Sequence, residues 1–149
     1  MKENLETGYC QFANHGVRVT LGQKTKLGTY VRAIIQHYTG KQTHLQYTFV
    51  SDEFLYEMNV QYLQHDSYTD IITFDLGEQK SPWIIGDIYI SIDRVKENAR
   101  LAKLTFQHEL HRVIFHGALH LCGFGDKTPA QAKKMRALEE EWLLKYFEG

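Results

Sequence analysis

Runs with strand period lie in the middle of this chain of 149 residues and runs with helix period gather at its end, and that distribution constrains the fold more than any other feature. The β-rich runs gather in the middle. "HLQYTFVS" alternates Leu45, Tyr47 and Phe49 against Gln46 and Thr48. "TDIITF" (Thr69 to Phe74) and "WIIGDIYIS" (Trp83 to Ser91) follow, with the polar "DLGEQKSP" between them as a hairpin-like connection. Earlier, "KLGTYVRAIIQHYTGK" sets Leu27, Val31, Ile34, Ile35 and Tyr38 at helical spacing, with Gly40 as a stop. Ser51 is placed to cap a helix running through Phe54, Leu55, Met58 and Tyr62. From Asp93 the chain reads helical almost to its end, broken at Leu104–Thr105 and at the glycines Gly123 and Gly125. Thr128, Pro129 and Gln131 form an N-terminal signature of cap, first-position proline and capping-box glutamine. The helix they start carries Met135, Leu138, Trp142 and Leu143 on one side. A sheet formed mid-chain with helices gathered at the end is an α+β arrangement.

The size of 17.4 kDa, with 43% hydrophobic and 23% charged residues, suits one globular domain over residues 1–149, with no repeat or linker to divide it. "MKENLETGYCQF" has no basic segment followed by an apolar run, and no apolar stretch approaches the roughly 20 residues that span a bilayer. Neither a signal peptide nor a membrane span is therefore expected. Cys10 and Cys122 have no CxxC spacing and read as two reduced, buried thiols of a cytoplasmic protein. A net charge of −1 leaves the partner open, because positive charge can collect on one face of a neutral protein. The eight histidines are numerous for this length, and their spacing decides whether they matter.

Two of them lie in "FHGALHLCGFGDKT". On a helix from Gln107 to Leu121, at about 100° per residue, Leu110, Ile114, Gly117 and Leu121 share one arc and face the core. His116 and His120 fall together on its flank, four residues apart, so two imidazoles can share one ion. The chain then turns at Gly123 and Gly125, and Asp126 can fold back as a third ligand. Two histidines, a carboxylate and an open position suit a catalytic Zn2+, while nickel, iron(II), cobalt and manganese accept the same ligand types. A helix end followed by a polar turn explains the same residues without a metal, and spacing alone does not decide between the two.

Resemblance separates them. "HGALHLCGFGD" resembles the signature His-Gly-x-Leu-His-Leu-x-Gly of the YbeY family of endoribonucleases, which is followed shortly by a third metal ligand. "NVQYLQHDSYTDIITF" (Asn59 to Phe74) resembles the family segment ending in Thr-Asp-x-x-Ser-Phe, and "GDIYIS" (Gly86 to Ser91) its Gly-Asp-Ile strand. The matches run in family order from Asn59 to Asp126. Two positions depart from the pattern. Most members place a histidine as third ligand where this chain has Asp126, and many carry a substrate-contacting arginine where it has Leu63.

The resemblance implies a zincin-like α+β domain with a small mixed four-stranded sheet. It also implies a single-strand-specific, zinc-dependent endoribonuclease acting in ribosomal RNA maturation at the small-subunit RNA 3′ end and in ribosome quality control. One Zn2+ would be held by His116, His120 and Asp126. Ribosomal RNA and the small ribosomal subunit are the implied partners; oligomeric state is left open. Gly117 stands where a zinc protease has its glutamate, so peptide hydrolysis by that route is not expected; the glycine instead allows a strand to approach the helix. Phosphodiester cleavage asks less of a side-chain base, because a metal lowers the pKa of its bound water and stabilises phosphoryl charge. Arg112, one turn before His116, is the candidate for transition-state charge, at a value of roughly a hundred- to thousandfold in rate; a salt-bridged arginine is the other reading. Glu109 suits an ion-pair role, Cys122 suits packing, and neither His108 nor His111 is expected to bind the metal. Arg94, Lys96, Arg100, Lys103, Lys133, Lys134 and Arg136 are cations that could attract RNA. A hydrolase of another substrate, and a non-catalytic assembly factor with a structural metal, are the competing classes.

Overall fold

The computed structural model of the protein describes residues 8–64 and 68–148. Among these, the order of elements is β1 (Gly8–Asn14), α1 (Lys24–Thr39), β2 (Gln42–Val50), α2 (Asp52–Leu63), β3 (Ile71–Asp75), β4 (Trp83–Ser91), α3 (Ile92–Ala102), α4 (Phe106–Leu121) and α5 (Pro129–Glu148). The strands form one sheet in the order β1-β2-β4-β3. β1 and β4 both run parallel to β2, and β3 runs antiparallel to β4, pairing Ile71 with Ile90 and Asp75 with Gly86. The fold is α+β with a mixed four-stranded sheet, and the connection from β3 to β4 is the hairpin read from "DLGEQKSP".

Local chemistry accounts for the boundaries. Ser51 Oγ accepts from the Phe54 amide, Ser91 Oγ from Arg94 and Thr105 Oγ1 from His108, each at 3.1 Å. These caps start α2, α3 and α4 by satisfying amides that have no partner in the first turn. Gly40 ends α1 in the left-handed region with φ 71°. Two details differ from the sequence reading. β3 begins at Ile71 rather than Thr69, and β1 is a strand that the residue pattern did not announce.

Alternation along the strands separates two faces. On one, Leu45, Tyr47 and Phe49 of β2 and Ile84, Ile88 and Ile90 of β4 pack against α1, α4 and α5 in the main core. On the other, Val50 and Ile72 pack with Leu55 of α2, joined by Phe54, Met58, Phe74 and Tyr89. α4 lies in the main core, with Leu110, Ile114 and Phe115 fully buried. The Tyr47 hydroxyl donates to the Ile114 carbonyl at 2.8 Å and fixes the helix against the sheet. Cys10 and Cys122 are free thiols, partly buried rather than buried as expected, and burial pushes the Cys122 thiol up to about 12. Among the described residues no helix is long and apolar enough to cross a membrane.

Candidate active site

The glycine in the middle of α4 brings the helix close to the sheet. A methyl group on Gly117 would stand 3.0 Å from Ile71 Cδ1 of β3 and 3.2 Å from Ile88 Cδ1 of β4. This is the close approach expected of it. It places the C-terminal half of α4 beside the start of β3 and opens a cleft between them of about 440 Å³. His116, His120 and Asp126 line one side of it; Thr69, Asp70 and Ile71 line the other, with Asn59 and Leu63 at the end of α2. All three expected ligand residues share this cleft. Leu63, one of the two positions that depart from the resembled pattern, is in its wall and 40% exposed.

The geometry around His116 is specific. Its Nε2 lies 3.5 Å from Asp126 Oδ2, and its Nδ1 lies 2.6 Å from Glu139 Oε2 of α5. Two donor atoms on one tetrahedral ion with bonds of 2.0–2.1 Å would be about 3.3 Å apart, so the first pair has a suitable separation. The donor types also fit a divalent transition ion, and His116 has a carboxylate behind it, as metal-bound histidines usually do. Among the described residues, however, no three His, Cys, Asp or Glu side chains are arranged to hold an ion as they stand. Completing a three-ligand set requires a side-chain rotation. His120 is exposed and the Asp126 side chain is 48% exposed, which leaves room for one.

Arg112 lies in a neighbouring cleft of about 250 Å³, which shares Asp70, His116 and Asp126 with the first. Its guanidinium is not free. Nε and Nη2 bind the two oxygens of Glu109 at 2.9 and 2.6 Å, Nη1 binds Glu139 Oε1 at 3.0 Å, and Asp70 Oδ2 is 4.0 Å from Nη2. Burial works against its charge, but the bonds to Glu109 and Glu139 outweigh it and hold the pKa above the usual arginine value. Burial raises the Glu139 pKa, but the hydrogen bond with His116 and the charge and bond of Arg112 outweigh it and hold the carboxyl below its ordinary value. Burial lifts Asp70, against the pull of Arg112 and His116. Four carboxylates, Asp70, Glu109, Asp126 and Glu139, therefore stand against the guanidinium of Arg112, the more exposed one of Arg136 and the imidazole of His116, an excess of acid that favours a bound cation.

Other expectations fall into place around this cluster. Glu109 has the ion-pair role expected of it, and Arg112 is its partner. His111 faces away, its Nδ1 donating to the Gln107 carbonyl at 2.6 Å and its ring against Tyr146 and Phe147. The His108 ring stacks on Phe147. Cys122 packs against the main core. Of the foreseen cations, Arg94 is paired with Asp52 and Arg100 with Glu97, while Arg136 approaches Glu139 at 3.9 Å. Glu139 and Asp70 are the site residues that sequence reasoning did not single out. Glu139 had a signal: it lies four residues after Met135 and three before Trp142, inside the apolar stripe of α5, where a carboxylate needs a partner.

Comparison with known proteins agrees with the motifs. The family model described as Endoribonuclease YbeY matches residues 11–147. Endoribonuclease YbeY of Cytophaga hutchinsonii is 46% identical over 132 residues, covering 89% of this chain and 92% of its own length. The proteins of that name from Porphyromonas gingivalis and Bacteroides fragilis are 41% and 39% identical, each over 89% of this chain and over 87% and 94% of their own lengths. The solution structure of TM1509 from Thermotoga maritima superposes with a TM-score of 0.64 at 28% identity, covering 93% of this chain and 89% of that one. With the family matched across the sheet, the histidine helix and α5, this chain belongs to the endoribonuclease YbeY family.

Proposed function

We propose that this protein is a metal-dependent endoribonuclease that cleaves single-stranded RNA, with one Zn2+ held by His116, His120 and Asp126. The observation that carries the reading is the pair formed by His116 Nε2 and Asp126 Oδ2, 3.5 Å apart in the cleft that also holds His120. When bound, the ion supplies Lewis acidity to the scissile phosphate and to water. The chain's own part is positioning and charge. Glu139 holds His116 from behind, and Arg112 balances the buried carboxylates. The excess of negative charge at the cleft would repel an RNA phosphate by itself, so occupation by a divalent cation is what makes the cleft attractive to one. Gly117 leaves no side-chain base in the position used by zinc proteases, which sets the chemistry apart from peptide hydrolysis.

By family membership, the substrate in the cell is ribosomal RNA in the cytoplasm, processed at the 3′ end of the small-subunit RNA, with a further part in ribosome quality control and the small ribosomal subunit as partner. Leu63 in the cleft wall carries no charge, so the arginine contact that the resemblance implies is not made from this position. The test is metal analysis of protein purified without chelator, paired with cleavage of a labelled single strand and of the same strand in duplex. About one zinc per chain, and cleavage of the single strand that disappears in His116→Ala/His120→Ala, is the expected result. Full metal content in that double variant would exclude the ligand set. Cleavage that survives loss of the metal would exclude the metal-dependent reaction.

A further inference from the structure

Glu139 has two oxygens and each has a separate duty. Oε2 meets His116 Nδ1 at 2.6 Å, and Oε1 meets Arg112 Nη1 at 3.0 Å. The residue is 1% exposed, in a stripe with Met135, Trp142 and Leu143. An ionised carboxylate only accepts hydrogen bonds, so the atom of His116 that faces it must carry a proton. In the neutral ring, the form that binds a metal, that leaves Nε2 as the atom with the lone pair, and Nε2 is the atom facing Asp126. We infer that Glu139 is the positioning residue of this site: it fixes the Nδ1–H tautomer of His116 and aims Nε2 into the cleft, and Arg112 and Glu109 brace it from behind.

The brace explains why so much charge is buried away from the cleft mouth. Arg112 is held by Glu109 through two bonds and by Glu139 through one, so Glu139 cannot turn without breaking a charged contact. Such fixed partners behind a metal-bound histidine set ring orientation and raise ligand basicity. They also link α5 to α4 at the site, so the helix that closes the fold takes part in its chemistry. Arg112 then acts on the reaction through Glu139 and His116.

The tautomer assignment stands on the contacts of Glu139; its consequence for metal affinity rests on the metal-dependent reading above. Both are tested on the full chain with E139A, E139Q and E109Q. Long-range 1H–15N NMR of metal-free protein at mildly alkaline pH reads which ring nitrogen of His116 is protonated. Competition with a chromophoric chelator reads Zn2+ affinity. In the wild type and in E109Q, which does not touch His116, Nδ1 is expected to carry the proton. E139A is expected to move it to Nε2 and to weaken Zn2+ binding by about 10- to 100-fold. E139Q, which keeps an accepting oxygen, should retain the tautomer and show an intermediate loss. An unprotonated Nδ1 in the wild type overturns the inference, and so does a folded E139A with wild-type Zn2+ affinity. If E139A does not fold, E139Q decides, and unchanged affinity there overturns it. Should the wild type bind no Zn2+ while the tautomer follows Glu139, the metal-dependent reading fails and the positioning assignment stands.

Discussion

Gly117 and Arg112 show how one helix position can be fixed by space and another by charge. At Gly117 an added methyl group meets the Cδ1 tips of two isoleucine side chains, 3.0 and 3.2 Å away, which can shift by a few tenths of an ångström, and Ile88 Cγ2 at an ordinary 3.5 Å. Replacing glycine by alanine inside a helix gains about 1 kcal/mol. Gly117→Ala is therefore expected to change stability by less than about 1 kcal/mol in urea denaturation. Gly117→Glu is different, because it forces a longer side chain and an unpaired carboxylate into the contact with Ile71 and Ile88. It should cost more than about 3 kcal/mol and produce no protease. A Gly117→Glu variant as stable as the wild type would mean that the helix is not pressed against the sheet. Arg112 is held by charge instead. Its side chain is 14% exposed and bonded to Glu109 and Glu139, so Arg112→Ala takes the bidentate cation from buried Glu109 and leaves Glu139 with His116 and a more distant Arg136. Breaking such a pair from one side costs about 3–5 kcal/mol. The urea midpoint of Arg112→Ala should fall accordingly. A midpoint within experimental error of the wild type would return Arg112 to the status of a surface charge. A slower reaction in this variant cannot by itself measure transition-state stabilisation, because the positioning of His116 is lost with it.

Between α4 and α5 the chain makes the turn that carries Asp126, and the start of α5 fastens it. Gln131 Oε1 accepts from the Lys127 and Thr128 amides at 3.1 and 3.3 Å, while Thr128 Oγ1 accepts from the Gln131 amide at 3.1 Å. This is the reciprocal capping box expected from the sequence, with an extra bond toward Asp126. Removing it by Gln131→Ala should cost about 0.5–2 kcal/mol and speed hydrogen exchange of the Lys127 and Thr128 amides. Unchanged exchange there would show that the glycines alone set the turn. The elements that could be read from sequence are those whose signals are local: the period of α1, β2 and β4, the capping residues of α2 and α5, and the histidine spacing on α4. β1 could not be read in that way. Its residues "GYCQFAN" alternate weakly, and its strand state depends on parallel pairing with β2, a partner reached only after the whole of α1. The ligand candidates were visible because four residues is one helical turn. The partner of His116 was not, since Glu139 lies 23 residues away on another helix and only packing brings them together. The place of Asp70 in the cleft depends likewise on how closely Gly117 lets β3 approach.

At the scale of the whole molecule, α4 and α5 close the fold twice, once at the cleft through Glu139 and once at the opposite end of their contact through His111. His111 is 4% exposed, donates to the Gln107 carbonyl, and lies against Tyr146 and Phe147 near the end of α5. Burial lowers its pKa below the ordinary 6.5, the bond to Gln107 opposes this, and His108 and Lys26 add repulsion. The sign follows from proton counting. Below about pH 6.5 the unfolded chain binds a proton at this position that the folded chain resists, so stability drawn from neutral His111 is complete above that pH. It is lost as pH falls from there through the lower folded-state value. His111→Phe keeps an aromatic ring between Tyr146 and Phe147 but cannot titrate. Other groups, His116 among them, also change charge on acidification, so the informative quantity is the difference between wild type and variant in urea-derived stability from pH about 7.5 to about 5. The wild type should lose more stability than His111→Phe over that range. Equal losses would mean that His111 is protonated as readily in the folded protein as in the unfolded chain, and that the end of α5 does not shield it from water.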